Sequence, residues 1–307
     1  MGRSNLRSLN AAALLTRSLF PWIAGMVLCI HTIVVAASTG LPFLRLSSGA
    51  RGSALGEAVT ALTDIEAMSY NPAALSSNIR GASIGHSEWI RGISHQYLSL
   101  LRPLGVGTVA LSGAFSQVDD IERRTGPTVR PLGKFGVYNT VFGLGYARDL
   151  SPRLRWGIGV KLVRQSIFTA SANGLAFDFG TLYAVAPDLQ LALGVRILGT
   201  MSKLASKSTD LPTEARIGMA YGGLGKARLS ADLQQAHSTR TSVHLGAEYL
   251  IQHRLALRAG YQTTDSRDFS IGLGLETGIW SFDYAFVPFA SGLGEAHRIG
   301  LRYQGSF

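Results

Sequence analysis

Hydrolytic or metal chemistry would need histidine, serine and carboxylate side chains converging on one point. His86, His95, His237, His244, His253 and His297 are instead scattered along the chain, with no His-x-x-x-His and no Gly-x-Ser-x-Gly. His86-Ser87-Glu88 is the one place where triad residue types are adjacent, and on a strand such neighbours point to opposite faces. Asp119-Asp120 with Glu122 offers carboxylates to a divalent cation, yet Arg123 and Arg124 follow at once, and a solvated acidic loop is the simpler reading. Gly143-Leu144-Gly145 and Gly157-Ile158-Gly159 fall inside alternating segments rather than at strand-to-helix turns, so they do not read as phosphate loops. The residue chemistry points away from an enzyme and toward no cofactor and no metal.

The elements that carry these residues are legible from composition. The chain of 307 residues is 46% hydrophobic and only 16% charged, and it holds 36 glycines; an average soluble protein is roughly 25% charged and ~7% glycine. A helical membrane protein would show repeated apolar stretches of ~20 residues, but after Ala37 polar residues interrupt every window of that length. If membrane-embedded, the chain must be a barrel. Residues 1–37 read as a secretory signal, with Arg3, Arg7 and Arg17 ahead of an apolar stretch from Leu19 to Val35 and small residues at Ala36 and Ala37. Cys29, the only cysteine, lies inside it and follows Leu28 rather than a small residue, so it does not read as a lipoprotein site. Removing the three arginines takes the formal charge of +10 to +7, spread along the chain. Nucleic-acid binders cluster their cations on one face, so nucleic acid is not expected as a partner.

From Gly81 onward hydrophobicity alternates with period 2. Leu154, Trp156, Ile158, Val160 and Leu162 share one face, opposite Arg155, Gly157, Gly159 and Lys161. Similar sorting places Phe269, Ile271, Leu273 and Leu275 opposite Ser270, Gly272, Gly274 and Glu276. No helix sorts residues this way, whereas a barrel strand between lipid and lumen does. Segments near 81–90, 94–102, 105–116, 136–149, 153–168, 173–186, 189–199, 213–222, 226–234, 241–250, 254–262, 267–277, 279–288 and 296–305 make fourteen strands. Links such as Pro103-Leu104, Pro187-Asp188 and Gly278 are tight, while Gln117 to Phe135 and Thr200 to Pro212 are long. Outer-membrane barrels sort short periplasmic turns from long external loops, so both mature termini are expected in the periplasm of a bacterium. Tyr303 and the terminal Phe307 lie on one parity of the last strand and resemble the signal read by the barrel-assembly machinery.

Residues 38–80 precede this barrel of residues 81–307 and do not alternate. Ala58, Ala61, Leu55, Val59 and Leu62 suit a short helix beginning near Ser53, and Asn71-Pro72 suits a turn or a second helix start. Gly49-Ala50-Arg51, Ala61-Leu62-Thr63-Asp64 and Tyr70-Asn71-Pro72-Ala73-Ala74-Leu75 resemble the opening of the PorV/PorQ group of FadL-like outer-membrane proteins. Ala74 stands where that family usually has glycine, and Glu66 interrupts its acidic pair. The resemblance implies a fourteen-stranded barrel whose N-terminal segment folds into the lumen as a hatch. Lumen-facing glycines (Gly157, Gly159, Gly194, Gly246, Gly272, Gly274) either leave room for such a hatch or relieve barrel curvature. Arg216, Arg228, Asp232, Glu248, Arg258, Asp283 and Arg302 are the lumen groups expected to bind it.

Two functions are then expected. The resemblance implies partner binding in protein secretion or surface assembly, with secretion-system subunits or exported proteins as partners beside outer-membrane lipid. The alternative is FadL-like transport of long-chain fatty acids or other hydrophobic small molecules. It requires an apolar pocket above Asn71-Pro72, and the polar lumen face argues against one.

Overall fold

A computed structural model describes residues 41–306 apart from 46–48, 76–78, 90–91, 128, 208, 237–239 and 265. The expected signal segment and Phe307 lie outside the described residues. Alternation produces what the physics of a lipid-facing sheet demands: one face takes the apolar side chains, and the strand backbones pair around the barrel. The fourteen strands are β1 (Ile79–Glu88), β2 (Ser94–Leu104), β3 (Gly107–Arg123), β4 (Gly133–Ser151), β5 (Leu154–Ile167), β6 (Ala170–Ala186), β7 (Leu189–Met201), β8 (Glu214–Leu224), β9 (Ala227–Ala236), β10 (Ser242–Ile251), β11 (Leu255–Thr264), β12 (Arg267–Thr277), β13 (Trp280–Pro288) and β14 (Glu295–Ser306). Each pairs antiparallel with its sequence neighbours, and β1 closes the barrel on β14 from Ile79↔Ser306 to Glu88↔His297.

Along β5 and β12 the apolar parity faces outward and the polar or glycine parity faces in. Leu111, Phe142, Leu162, Ile271, Phe282 and Ile299 are each more than half exposed, on a surface that would be an aggregation hazard in water and is a solvated face in lipid. At the short-turn end Trp280 packs edge-on to Tyr303 at 5.2 Å and Tyr146 to Trp156 at 6.1 Å, as an interfacial girdle requires. No helix among the described residues is long and apolar enough to cross a membrane. The protein is a transmembrane β-barrel of the outer-membrane type.

Three local expectations need correction. β3 and β4 run on through much of the expected Gln117–Phe135 loop, because an irregularity between Val118 and Ile121, with Asp120 at φ 60°, breaks the alternation without ending the pairing. The β5–β6 link is a tight turn at Phe168 and Thr169, although it lies at the long-loop end. The hatch helix, α1, starts at Ala50 and ends at Ala54, since Gly56 and Glu57 both take φ 62°, which no helix accommodates. Beyond Glu57 the hatch is a string of turns, including 3-10 turns over Ile65–Ser69 and Pro72–Ala74, all inside the lumen. Leu55, Val59, Leu62, Ile65, Met68 and Leu75 bury there against Leu101, Ala110, Ala147, Leu182, Ala192 and Ala220 of the wall.

Candidate functional site

The hatch has few regular backbone bonds of its own, so side chains and wall must supply the rest. Arg51 donates to Asp64 at 2.5 Å and, from two nitrogens, to Glu248 on β10 at 3.0 Å. Glu248 accepts from Arg258 on β11 at 2.7 Å, Arg258 donates to Asp283 on β13 at 2.6 Å, and Asp283 accepts from Arg302 on β14 at 2.7 Å. Arg302 returns to Asp64 at 3.6 Å. Three arginines and three carboxylates thus form a closed ring of alternating charge, two members from the hatch and four from the wall. A ring of this kind leaves no buried charge uncompensated, which is the condition under which ions tolerate a dry interior.

A second set holds the next turn. Arg216 donates to the Glu57 backbone carbonyl at 3.0 Å and to the Glu214 carboxylate at 3.1 Å, and Arg267 pairs with Glu57 at 2.9 Å. Burial opposes the Glu57 charge, but Arg267 and Arg216 overcome it and hold this hatch carboxyl below the ordinary range. Asp232 accepts from the Val59 and Thr60 amides at 3.1 and 3.0 Å and from the Thr60 hydroxyl at 2.6 Å. Asn71 is fully buried: its amide donates to Thr60 and Thr181 carbonyls at 2.9 and 3.3 Å, and its side-chain oxygen caps the Pro72–Ala74 turn through Ala73 N–H at 3.0 Å. Proline lacks a donor at the first position of that turn, where none is needed, which is why Asn-Pro-Ala suits it. Glu66 is bound by neutral donors, Ser83 at 2.5 Å and Tyr97 at 2.6 Å; burial and then the nearby Asp64 carboxylate push its carboxyl up to about 7.

Close approach explains the wall glycines. A Cβ on Gly157 would fall on the Pro72–Ala73 peptide, and one on Gly260 would fall on the backbone of Leu55 and Gly56. Gly159 similarly faces Met68, Gly246 Leu55 and Gly272 Ala54, Gly274 makes room for the Arg258 guanidinium, and a Cβ on Gly194 would only touch the Tyr70 carbonyl at ordinary contact distance.

Toward the long-loop end the lumen changes character. Val141, Val163, Ala176 and Ile197 from β4 to β7, with Leu211, wall an apolar compartment that is filled by Leu41, Phe43 and Leu44 of the strap Leu41–Arg45. Only about 50 Å³ remains open between the strap, Met68 and the wall. The strap is held by Arg196 donating to the Leu44 carbonyl at 3.4 Å and by Arg45 beside Glu214 at 3.7 Å. Beside this compartment the barrel wall is irregular. Phe177 pairs with Leu198 and Phe179 with Val195, so Asp178 faces both Arg196 and Ile197. Ile197 takes φ 58°, and its N–H donates to the Asp178 carboxylate at 2.8 Å instead of to the ladder. Lys161 pairs with the same carboxylate at 2.5 Å. The β7–β8 ladder ends at Arg196↔Glu214, so from Ile197 to Met201 β7 has β6 on one side and no β8 on the other. That gap is covered by Leu211, which is buried, and by Thr213, whose hydroxyl donates to the Ile197 carbonyl at 2.9 Å.

All seven expected lumen groups face inward. Glu248, Arg258, Asp283 and Arg302 meet Arg51 and Asp64 in the ring, while Arg216 and Asp232 bind the turn at Glu57–Thr60. Arg228 stays about half exposed at 3.5 Å from Glu248, on the rim of a cavity of about 420 Å³ at the short-turn end. Of the hatch motif, Gly49 packs against the Glu66 carboxyl, and Ala50 and Tyr70 are buried. Tyr303 of the expected assembly signal sits on the outer face against Trp280. Sequence parity did not single out Glu214, Arg196, Asp178 and Lys161 as partners, although the inward parity of Arg216 and Arg155 extends to Glu214 and Lys161. The polar reading of the lumen is corrected: it holds for β8 to β14 and fails for Val141, Val163 and Ala176, whose parity is also inward, and for Ile197, which the irregularity in β7 turns inward from the outward parity of Leu189 to Val195. Asp119, Asp120 and Glu122 are taken by Tyr138, Lys134 and Arg124, respectively.

No protein-family model and no curated protein matches the sequence. Solved structures do match. The CymD monoaromatic hydrocarbon channel aligns over 88% of this chain and 99% of its own at TM-score 0.64 and 11% identity. The Pseudomonas putida toluene transporter TodX aligns over 84% and 98% at TM-score 0.61 and 13% identity. A Pseudomonas aeruginosa FadL homologue aligns over 85% and 99% at TM-score 0.56 and 12% identity. At such identities the likeness is one of fold.

Proposed function

We propose that the protein conducts small apolar molecules, of the single-ring hydrocarbon class, through the outer membrane. The observation that carries this reading is the apolar compartment at Val141, Val163, Ala176, Ile197 and Leu211, set beside an irregular stretch of barrel wall and occupied by a five-residue strap. In this reading the long-loop end faces outward. Substrate displaces Phe43 and Leu44, gains the burial they give up, and leaves sideways into lipid past Ile197 and Leu211. A hydrophobic molecule loses nothing by that exit, since the lipid is as apolar as the compartment. The ion ring keeps the rest of the hatch seated, so no aqueous pore opens. Structural likeness to hydrocarbon channels supports the reading.

Partner binding in secretion, which the PorV/PorQ-like motif implies, is the second reading. It is favoured by β3 and β4, whose 17 and 19 residues exceed the ~9 to 11 that a crossing needs and raise a hairpin at the long-loop end. Uptake of radiolabelled benzene by cells whose outer membrane carries the protein tests the choice. Uptake above that of cells without it, retained when the tip of the β3–β4 hairpin is shortened, supports conduction. Background uptake together with co-purification of secretion subunits or exported cargo would reverse it.

A further inference from the structure

A further cavity, of about 310 Å³, opens at the long-loop end on the far side of the strap and belongs to neither the ion ring nor the apolar compartment. Three loops converge on it. Trp89 follows β1, Phe289 follows β13, and Arg267 begins β12, while Arg45, Glu57, Gln234 and His244 line it from below. The loops are fixed by backbone bonds: Trp89 N–H to the Ile93 carbonyl at 2.8 Å, Phe289 N–H to Gly294 at 2.9 Å, and Ala290 N–H to Ser266 at 2.9 Å.

The chemistry of the lining is one-sided. Trp89 and Phe289 stand 5.6 Å apart with their rings inclined at 56°. The Arg267 and Arg298 guanidinium groups lie 5.9 and 5.7 Å from the centroid of Trp89. Among the residues lining the cavity, Arg45 and Arg267 face a single carboxylate, Glu57, which Arg216 also engages, and Glu214 stands behind Arg45. Among the described residues, the indole N–H of Trp89 is buried without a hydrogen-bond acceptor, while Arg45 Nε stands 3.7 Å from the Glu214 carboxylate. The His244 ring is already committed, at Nδ1 to the Gly56 carbonyl at 2.7 Å and at Nε2 to the Ser242 hydroxyl at 2.9 Å. The cavity therefore offers aromatic surface and excess positive charge.

We propose that this vestibule is a binding site for a single-ring aromatic carboxylate, with its ring against Trp89 and Phe289 and its carboxylate accepting from Arg45 and Arg267. A neutral hydrocarbon leaves those donors unmet, and a cation meets like charge. A saturated acid supplies the charge but not the flat face that stacks on indole and guanidinium. The site stands on its own lining and does not depend on transport through the apolar compartment.

Calorimetric titration of the purified full-length mature protein in detergent with benzoate tests it, with cyclohexanecarboxylate and benzylamine as controls. Benzoate is expected to bind in a salt-sensitive manner and more tightly than cyclohexanecarboxylate, with no binding of benzylamine. Arg267→Gln and Trp89→Leu should each weaken benzoate roughly tenfold. Arg267→Gln also removes an ion pair to the hatch, so Trp89→Leu, which breaks none, is the deciding variant once heat-modifiable gel mobility shows a folded barrel. Absence of benzoate binding to folded protein, equal binding by Trp89→Leu, or equal affinity for cyclohexanecarboxylate would overturn the assignment.

Discussion

Arg51 and Asp64 are thirteen positions apart and meet only because the hatch turns back on itself between them. Their pairing also reaches Glu248 and Arg302, so one change in the ring is felt by both hatch and wall. Asp64→Asn leaves Arg51 and Arg302 with a neutral amide in a buried setting, and breaking one partner of such a network costs about 3–5 kcal/mol. Hydrogen exchange of residues 50–64 should then quicken by about two to three and a half powers of ten, since each ~1.4 kcal/mol is a factor of ten. The strands themselves should keep their protection, because their ladder does not run through Asp64. Unchanged exchange in the hatch would mean the ring does not hold it.

At the scale of elements, β7 is the informative strand. A regular antiparallel pair sets one residue against one; here Asp178 meets two, and the extra residue turns its amide to a carboxylate. Deleting Ile197 restores one-to-one pairing between Phe177↔Leu198 and Phe179↔Val195 and places Arg196 opposite Asp178. The straightened β7 should cover the compartment, lowering benzene uptake toward background while the barrel still migrates as a folded species. Full uptake by the deletion variant would show that molecules do not leave there. The fourteen strands were legible in sequence because each alternates between two solvents of opposite polarity, and Leu154 to Leu162 shows this plainly. The bulge was not, because Arg196 and Ile197 continue the period of Leu189 to Val195 without a break; φ 58° at Ile197 is set by Asp178 and Lys161 on other strands. Nor was the extent of α1, which a backbone twist at Gly56 and Glu57 ends after five residues although alanines continue.

Over the whole molecule the lumen is divided. On the β8 to β14 side the hatch is fastened by ions, and on the β4 to β7 side it is packed with apolar side chains. Sequence parity identified inward positions but not their grouping around the barrel, so Arg258 and Val163 looked like members of one mixed face. In the proposed reading, this division is what would let the barrel stay closed to ions yet pass an apolar molecule. Filling the apolar side separates this account from others most directly. Val163→Trp and Ala176→Trp place indoles where Phe43 and Leu44 now pack and leave every residue of the ion ring untouched. Benzene uptake by cells carrying either folded variant should drop to that of cells lacking the protein; uptake equal to the unsubstituted barrel would contradict conduction through this compartment.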